Sequence, residues 1–475
     1  AGFFGRVNYD YKERYLLEVN LRYDGTSRFA EDKRWNLFPS FSAGWNVARE
    51  GFMEPYEHII NTLKFRGSWG ELGNQNTESL YPYIQTMKFV AADKDGKWLI
   101  NNQLPNTSNA PDLVSALLGW ETMRSWNIGV DMGFLQNRLT MSFDWFNRKT
   151  VNMVGPAPEL PVILGTKVPK TNNADLLSRG FELDLSWRDQ IGQVQYGAHL
   201  LLSDDRQKIM KYPNETGTLN TWRAGEYIGE IWGFETIGIA KTDQEMNDHL
   251  ATLPNGGQNE QGSKWAAGDI MYKDLDGDGV IHAGETITAP GDLKIIGNNT
   301  PRFKFGIDLD AAWKGFDIRV FLQGVAKRDY WLDGNMMFGA SGGKWGSTVF
   351  TEHMDFFRTE GDEWGANLDG YFPRPNFAGE KNQKKQTRYL QSAAYCRLKN
   401  LQIGYTIPSN LTRKIGVQNL RLFFSADNLF TITPLPSSFD PETLGTGYGA
   451  DNGATTTAKT YPLSRTISTG FSVNF

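Results

Sequence analysis

The sequence predicts an all-β protein, a transmembrane antiparallel up-and-down β-barrel of which this chain supplies about 13 strands. Three observations predict this fold. Apolar and polar residues alternate with period two in many segments, the connections between these segments alternate in length, and full charges occupy only one face of the segments. Period-two alternation also occurs in soluble β-sandwiches, so the other two observations favour the barrel.

Composition agrees with a strand-rich chain and excludes several classes of protein. The 475 residues include 50 Gly and 13% aromatic residues, which is typical of strands and turns. A single Cys excludes a disulfide framework and a multi-thiolate zinc site. A net charge of −5 gives no basic field, so we expect no nucleic-acid partner. Mean hydropathy is −0.47 and no apolar run approaches the length of a transmembrane helix, a result that suits both a soluble protein and a membrane barrel.

Thirteen segments carry the alternation. Phe303 and Phe305, for example, share one face of a segment in which Lys304 occupies the other. Around 398–401 the apolar phase slips by one residue, which predicts a β-bulge. The other twelve segments lie near 2–11, 15–23, 35–47, 63–69, 126–134, 139–145, 181–187, 194–202, 302–311, 316–323, 420–426 and 467–475.

The connections between these segments are alternately short and long. Short turns lie near 11–14, 135–138, 188–193 and 312–316, and two somewhat longer turns, 49–61 and 406–418, complete the short set. Long ones lie near 25–34, 70–123, 149–177, 203–301, 326–393 and 430–462. One end of the predicted sheet therefore carries the short connections, and the other end carries the long ones. Outer-membrane barrels have short periplasmic turns and long extracellular loops, whereas a sandwich has no reason to keep this alternation.

The two faces of the segments differ in charge. The apolar face carries no full charge, and aromatic rings gather beside the short turns, as expected at a membrane interface. The charges of the polar face are those of Arg6, Glu18, Arg22, Lys64, Arg66, Asp131, Asp144, Glu182, Asp184, Lys304, Asp308, Asp310, Asp317, Arg319, Arg421 and Asp427. The aromatic residues beside the short turns are Tyr9, Tyr11, Tyr15, Phe134, Trp187, Trp313, Phe316 and Tyr405. This pattern favours a lipid-facing barrel with a charged lumen.

The sequence also predicts that these strands do not close by themselves. The chain opens inside a strand, which is typical of a fragment or a processed product. An odd number of strands cannot form a single-chain bacterial barrel, and an open edge in lipid would leave costly unpaired backbone groups. We therefore expect the remaining strands to come from upstream sequence or from a separate chain.

Several distinctive segments follow one another along the chain: RYLLEVNLRYDGTSRF, FPSFSAGWNV, LKFRGSWGELGN, WNIGVDMGFLQNRLTMSFDWFNRKT, RGFELDLSW, GDIMYKDLDGDG, KGFDIRVFLQG, YCRLKNLQIGYTIP and DNLF. Together they resemble the SusC/RagA class of TonB-dependent outer-membrane transporters of Bacteroidetes-type bacteria. The resemblance implies a 22-stranded barrel, with residues 1–475 as its C-terminal portion and the plug domain absent from this chain. It also implies uptake of oligosaccharides or peptides with a SusD-like lipoprotein lid, powered by the TonB complex through an N-terminal region outside this chain.

The sharpest local motif is an acidic loop at 274–285, within the long connection 203–301. It matches the D-x-D-x-D-G-x5-E calcium pattern, with candidate ligands Asp274, Asp276, Asp278, the Val280 carbonyl and Glu285. His282 occupies position 9, where water would have to serve as the ligand, and the flanks do not read as helices. We expect a structural Ca²⁺ that pins the long connection; the alternative is an acidic turn without an ion.

Aromatic residues in the long connections are candidates for stacking on a solute, among them Trp222, Trp331, Trp345 and Trp364. They could equally form small cores or contact a lid protein. The G-x-S-x-G string at 339–343 lies in a Gly-rich loop, without the strand and helix that a nucleophile elbow needs, so we expect no enzyme. The alternatives to an importer are a calcium-stabilised soluble glycan-binding β-protein and a passive porin.

Overall fold

The computed structural model describes residues 1–77, 79–87, 89–90, 99–103, 105–108, 111, 113–115, 117–156, 169–339, 349–376, 381–445 and 461–475. The strands are β1 (Gly2–Tyr11), β2 (Tyr15–Gly25), β3 (Trp35–Asn46), β4 (Ile60–Asn74), β5 (Phe89–Val90), β6 (Thr107–Ser108), β7 (Glu121–Phe134), β8 (Leu139–Gly155), β9 (Thr171–Ile191), β10 (Val194–Lys211), β11 (Glu230–Phe234), β12 (Thr236–Ile239), β13 (Ile270–Tyr272), β14 (Ala283–Thr286), β15 (Ala289–Gly291), β16 (Leu293–Asn298), β17 (Arg302–Trp313), β18 (Phe316–Lys327), β19 (Asp329–Trp331), β20 (Leu390–Ser392), β21 (Tyr395–Ile407), β22 (Asn419–Ile432) and β23 (Thr466–Asn474).

Helices are few and short in the described part of the chain. The α-helices are α1 (Asp243–Ala251), α2 (Asn335–Phe338) and α3 (Ser409–Thr412). Short 3-10 helices span Glu31–Lys33, Val47–Arg49, Gly51–Tyr56, Thr351–Met354, Lys381–Gln383 and Arg413–Ile415. No helix in the described part of the chain combines the length and apolar character needed to cross a membrane.

Thirteen long strands form one antiparallel sheet in the order β1-β2-β3-β4-β7-β8-β9-β10-β17-β18-β21-β22-β23. Each long strand pairs with the next one along the chain, so the predicted up-and-down arrangement of about 13 strands is confirmed. The six short connections lie at one end of the sheet, and the six long ones lie at the other. Within the described residues, β1 and β23 stand at the two ends of this order and are not paired with each other.

The short turns follow from local backbone chemistry. Between β1 and β2, Lys12 and Glu13 adopt positive φ, and the Arg14 N–H donates to the Tyr11 carbonyl at 3.0 Å. Two successive positive φ values in a tight hairpin turn match the right-handed twist of the flanking strands. Gly315 fills the second such position between β17 and β18, where a Cβ would lie 2.6 Å from the Thr406 carbonyl oxygen.

The sequence located the bulge correctly but underestimated the length of several strands. The predicted bulge is confirmed, because the pairing of β21 with β22 skips Lys399 between Leu398 and Asn400. Strand length was underestimated: β8, β9 and β10 have 17, 21 and 18 residues. About 9–11 residues cross a bilayer at a tilt of about 45°, so these strands continue well beyond that length. The connection expected at 203–301 therefore begins at 212.

Backbone contacts divide the chain into two compact units. The first comprises Ala1–Leu183, Asp205–Thr216 and Thr221–Tyr227; the second comprises Asp184–Asp204, Gly217–Asn220 and Ile228–Phe475. In the first unit, the Trp120 ring packs edge-on against Phe29 and Phe38, with centroids 5.7 and 5.3 Å apart. This contact gives the described part of the long β4–β7 connection an anchor on its own unit.

The second unit contains a compact arrangement of connections that we call the loop module, the described residues within 228–301, 328–394 and 433–445. Four two-stranded sheets lie in it, pairing β11 with β16, β12 with β13, β14 with β15 and β19 with β20. Its hydrophobic core is built from Phe234, Leu253, Ile270, Tyr272, Ile281, Tyr330, Trp331, Leu332, Met337, Tyr389, Ala393, Leu435, Phe439 and Leu444. Residues from three separate connections thus share one core.

Candidate functional site in the loop module

A buried carboxylate joins two of the connections in the loop module. Asp269 is fully buried and accepts hydrogen bonds from Arg374 Nε at 2.9 Å and Lys381 Nζ at 2.6 Å. It also accepts from Asn382 Nδ2 at 2.8 Å and the Ala266 N–H at 3.0 Å. Burial alone would raise the pKa of Asp269, but these donors hold it below the ordinary value. Asp269 therefore stays ionised and ties residues 264–272 to residues 374–382.

The acidic loop predicted at 274–285 is organised by its own carboxylates. The two oxygens of Asp274 accept from the N–H groups of Gly277 at 2.6 Å and Gly279 at 3.0 Å. Asp276 Oδ1 accepts from the Asp278 N–H at 3.2 Å. Asp278 Oδ1 in turn accepts from the Val280 N–H at 2.9 Å. Each carboxylate therefore holds a backbone turn by accepting from N–H groups two to five residues further along the loop.

The structure adds an acidic residue that the calcium pattern does not include. Asp292 is fully buried, and its oxygens accept from the N–H groups of Leu275 at 2.6 Å and His282 at 2.8 Å. One oxygen each of Asp274, Asp276 and Asp292 lie within 4.8 Å of one another. Burial raises the pKa of Asp292, the two backbone donors lower it, and the Asp276 and Asp274 charges raise it further. Three carboxylates this close together repel one another, and a hard cation such as Ca²⁺, which prefers oxygen ligands, would offset that repulsion.

His282 belongs to a second grouping with Asp276 and Asp278, again within 4.8 Å. Its Nδ1 lies 3.6 Å from Asp278 Oδ2 and 3.8 Å from Asp292 Oδ2. Burial opposes protonation of the ring, but the Val280 backbone contact and the neighbouring carboxylates raise the pKa of His282 above its ordinary value. Protonated His282 and a bound cation would compete for the same carboxylates.

Glu285, the expected twelfth-position ligand, lies in β14 and belongs to neither grouping among the described residues. Its carbonyl accepts from the Leu219 N–H at 2.8 Å. Val280 is half-buried and forms a bridge with Gly257. Of the five predicted ligands, Asp274 and Asp276 group with Asp292, whereas Asp276 and Asp278 group with His282. Asp292 lies 18 positions after Asp274, outside any 12-residue pattern.

The polar face of the sheet is crosslinked by ion pairs between strands. In the first unit, Arg66 of β4 donates to Asp131 of β7 and to Asp144 of β8. In the second unit, Arg319 of β18 binds Asp308 of β17. The opposite face leaves large apolar side chains exposed, for example Leu21, Leu37, Phe65, Ile128, Ile318, Ile403 and Leu422. Soluble proteins rarely expose an apolar surface this extensive, whereas a lipid-facing barrel requires it.

Comparison with known proteins identifies the family. A profile described as "TonB dependent receptor-like, beta-barrel" matches residues 1–429. The chain belongs to this TonB-dependent receptor family. "TonB-dependent receptor P3" of Formosa agariphila is 29% identical over 496 residues, covering 99% of this chain and 45% of that protein. "TonB-dependent receptor SusC" of Bacteroides thetaiotaomicron is 32% identical over 187 residues, 39% of this chain and 18% of that protein.

Solved structures show the same fold. "Structure of the RagAB peptide transporter" matches with a TM-score of 0.72 and 21% identity, covering all of this chain and 47% of that one. The "open-open" state of the RagAB peptide importer matches with a TM-score of 0.75 and 21% identity. The resemblance to SusC/RagA-type TonB-dependent receptors is therefore confirmed, as is location in the outer membrane. The chain spans less than half the length of the curated full-length relatives P3 and P26 that it matches.

Outer-membrane location removes the soluble glycan-binding protein from the alternatives. Two carboxylates on the polar face of the sheet have partners: Asp308 binds Arg319, and Asp184 Oδ1 lies 2.8 Å from His199 Nε2. Ser341 of the G-x-S-x-G string lies outside the described residues.

The four candidate tryptophans lie in different settings. Trp222 is 55% exposed and contacts Tyr212 edge-on at 5.9 Å. Trp364 is 63% exposed, and its Nε1 donates to Glu363. Trp331 is only 5% exposed because it belongs to the loop-module core, so its ring packs rather than faces solvent. Trp345 lies outside the described residues.

Proposed function

We propose that this receptor imports oligosaccharides or peptides across the outer membrane, with a SusD-like surface lipoprotein as its lid and the TonB complex as its energy source. The match of a TonB-dependent receptor profile to residues 1–429 carries this proposal. One relative is named SusC, and solved structures with the same fold are titled as a peptide transporter. The titles of the RagAB structures name a peptide, whereas oligosaccharides are a solute class that the sequence resemblance to SusC/RagA-type receptors implies.

The arrangement of the chain supports a role in capture at the cell surface. We infer that the long connections, including that expected at 203–301, are extracellular, because outer-membrane barrels keep their short turns in the periplasm. The loop module stands on these connections and has its own core and buried ion pairs. A preorganised surface of this kind binds a solute at a lower entropic cost than mobile loops would.

Deletion of the gene for the full receptor tests this function. The deletion strain should lose growth on one class of nutrient, either oligosaccharides or peptides, while retaining growth on the monomers. Deletion of TonB in the parent strain should cause the same loss, because import against a gradient needs energy. A passive porin would continue to work without TonB, and unchanged growth of the receptor deletion strain on every oligomer would refute import.

We further propose that the acidic loop binds a structural Ca²⁺ through Asp274, Asp276 and Asp292, with Asp278 at the edge of the site. Three convergent carboxylates, one of them fully buried, support this assignment. Water and backbone oxygens would complete the six to eight ligands that Ca²⁺ prefers. Bound Ca²⁺ would neutralise charge that otherwise strains the loop and would pin residues 274–292 as one piece.

Calorimetry and thermal unfolding of the full receptor in detergent test the calcium site. Saturating Ca²⁺ at about 100 times its dissociation constant should stabilise the receptor by about 2.7 kcal/mol. Asp276→Asn should abolish this response. Asp362→Asn is the matched control, since Asp362 Oδ1 also accepts the N–H two residues on, at 2.9 Å, but lies outside both metal-binding groupings. No heat of binding and no stabilisation by millimolar Ca²⁺ would exclude the site.

A further inference from the structure

A cationic groove lies on the loop module, beside the buried carboxylate Asp269. It has a volume of about 950 Å³ and is walled by residues 259–266, 374–376 and two lysines of 381–384. Its cationic lining side chains are Lys264, Arg374, Lys381 and Lys384, and Glu260 is the acidic one. Asp269 lies buried beside the groove and pairs with two of these cations, Arg374 and Lys381.

Two of these cations form the floor of the groove and are fixed by hydrogen bonds. Lys381 is 3% exposed, and its Nζ donates to Asp269 and to the carbonyls of Ser263 and Lys264 at 3.2 and 3.1 Å. Arg374 donates from Nη2 to the Lys264 carbonyl at 2.9 Å. All three donors of the Lys381 ammonium are therefore used within the protein, so this residue positions the loop and leaves anion binding to its neighbours.

The backbone of the groove is held in a demanding conformation by these contacts. Lys264 has a φ of +59°, which a non-glycine residue rarely adopts, and its carbonyl accepts from both floor cations. Gly262 permits the close approach, because a Cβ there would lie 2.5 Å from the Lys381 Cβ. Strained backbone that its surroundings hold in place is typical of binding sites. The Lys264 side chain is thus presented from a fixed point.

Charged donors remain available in the groove. The Lys264 side chain is exposed and has no carboxylate partner among the described residues. Arg374 uses Nε and Nη2 toward Asp269 and Lys264, and within the described chain its Nη1 has no hydrogen-bond partner. The Trp265 ring also lines the groove, braced by Lys381 Nζ at 4.7 Å and by Tyr272 edge-on at 6.3 Å. A flat ring beside free cationic donors suits a planar or cyclic solute that carries an anionic group.

We propose that this groove binds the carboxylate-bearing residues of an imported oligomer, with Lys264 and Arg374 Nη1 contacting the anion and Trp265 packing against the neighbouring ring or chain. The proposal rests on the import function above and specifies its solute as anionic. Carboxylates occur in uronic-acid oligosaccharides and in acidic peptides, and both present the same group to the groove. Lys384 also lines the groove.

Binding of charged and neutral probes to the purified full receptor in detergent tests the proposal. The probes are oligogalacturonate, oligoglutamate and neutral maltooligosaccharide, titrated by calorimetry at low and high ionic strength. We expect at least one anionic probe to bind more tightly than the neutral one, with an affinity that falls as salt rises. Binding of oligogalacturonate alone would identify a glycan solute, and binding of oligoglutamate alone would identify a peptide.

Variants locate the bound anion. The K264Q/K384Q receptor should lose about tenfold or more in affinity for the anionic probe, since charge-assisted hydrogen bonds are stronger than neutral ones. K264R/K384R should retain binding, because it keeps both charges. Lys385→Gln is the matched control: Lys385 is exposed in the same segment but does not line the groove.

Equal affinity of K264Q/K384Q and the parent receptor would overturn the proposal, as would failure of both anionic probes to exceed the neutral one. Either result leaves the import function standing if the gene deletion strain still loses growth on an oligomer. Loss of growth and loss of anion binding are therefore separate outcomes.

Discussion

Replacing Asp269 by Asn should destabilise the loop module strongly while leaving the long strands intact. The wild-type carboxylate is fully buried and balances Lys381, which is itself 3% exposed. Asn keeps the shape and one acceptor oxygen but removes the charge, so Lys381 is left in a buried position without a counterion. Burial already lowers the Lys381 pKa, and the Asp269 charge opposes that effect. Breaking a buried ion pair in this way costs about 3–5 kcal/mol.

Hydrogen–deuterium exchange measured by mass spectrometry on the full receptor in detergent checks this value. A loss of about 3 kcal/mol speeds exchange through local opening by roughly 100-fold, because about 1.4 kcal/mol corresponds to a factor of ten. Peptides from 264–272 and 381–390 should show the change, and peptides from β17 and β18 should not.

Asp369→Asn is the matched control for this experiment. Asp369 also pairs with a lysine, Lys241 at 2.5 Å, but its side chain is 85% exposed and that of Lys241 is 53% exposed. Surface ion pairs contribute little, so exchange in this variant should stay within a few-fold of the parent. If D269N and D369N exchange alike, the argument that burial makes Asp269 indispensable is wrong.

Three further predictions use the same receptor preparation. Acidification should weaken the loop module as the pH falls below about 4, the ordinary range of carboxyl pKa values. The pKa of Asp269 is lowered in the folded state, so its contribution to stability is lost as the folded carboxylate protonates. Hydrogen exchange rates measured against pH test this. Arg397→Met should lower the local stability of the loop module by about 3–5 kcal/mol, because it leaves the Asp440 carboxylate buried without its arginine partner. Arg397 Nη2 lies 2.7 Å from Asp440, which is 7% exposed. Hydrogen exchange in residues 433–445 measures the loss. Gly284→Ala should destabilise the receptor by about 1–3 kcal/mol and lower its melting temperature, since the new Cβ would lie 2.0 Å from the Ala289 carbonyl oxygen. Gly51→Ala is the control: its Cβ would meet open space, so the melting temperature should stay unchanged.

Much of the sheet could be predicted from sequence because its signal is local. Side chains on successive residues of a strand point to opposite faces, so a charge-free face next to a charged one shows directly in the order of residues. The bulge at Lys399 was visible for the same reason, as a one-residue slip in that alternation. The ends of β8 and β10 were placed too early and the start of β9 was placed too late, because beyond the membrane band both faces become polar and the alternation fades while the pairing continues.

The acidic loop was only partly predictable. Asp274, Asp276 and Asp278 stand at alternate positions in the sequence. Short backbone turns between them bring the Asp276 carboxylate close to each of the other two. Asp292 comes from the far side of the β14–β15 hairpin, and no short motif includes it. The tryptophans show the same limit: composition found them in the long connections, but only packing separates buried Trp331 from exposed Trp364.

The sequence by itself determined the membrane-spanning sheet, its strand order, the end at which the loops are elaborated and the family. Each of these depends on neighbours one or two residues apart, or on motifs read in sequence. The tertiary structure alone decided the Asp269 ion-pair network and the cationic groove above it. Their members come from 259–269 and 374–384, more than 100 positions apart, and only folding of the loop module brings these charges within hydrogen-bonding distance.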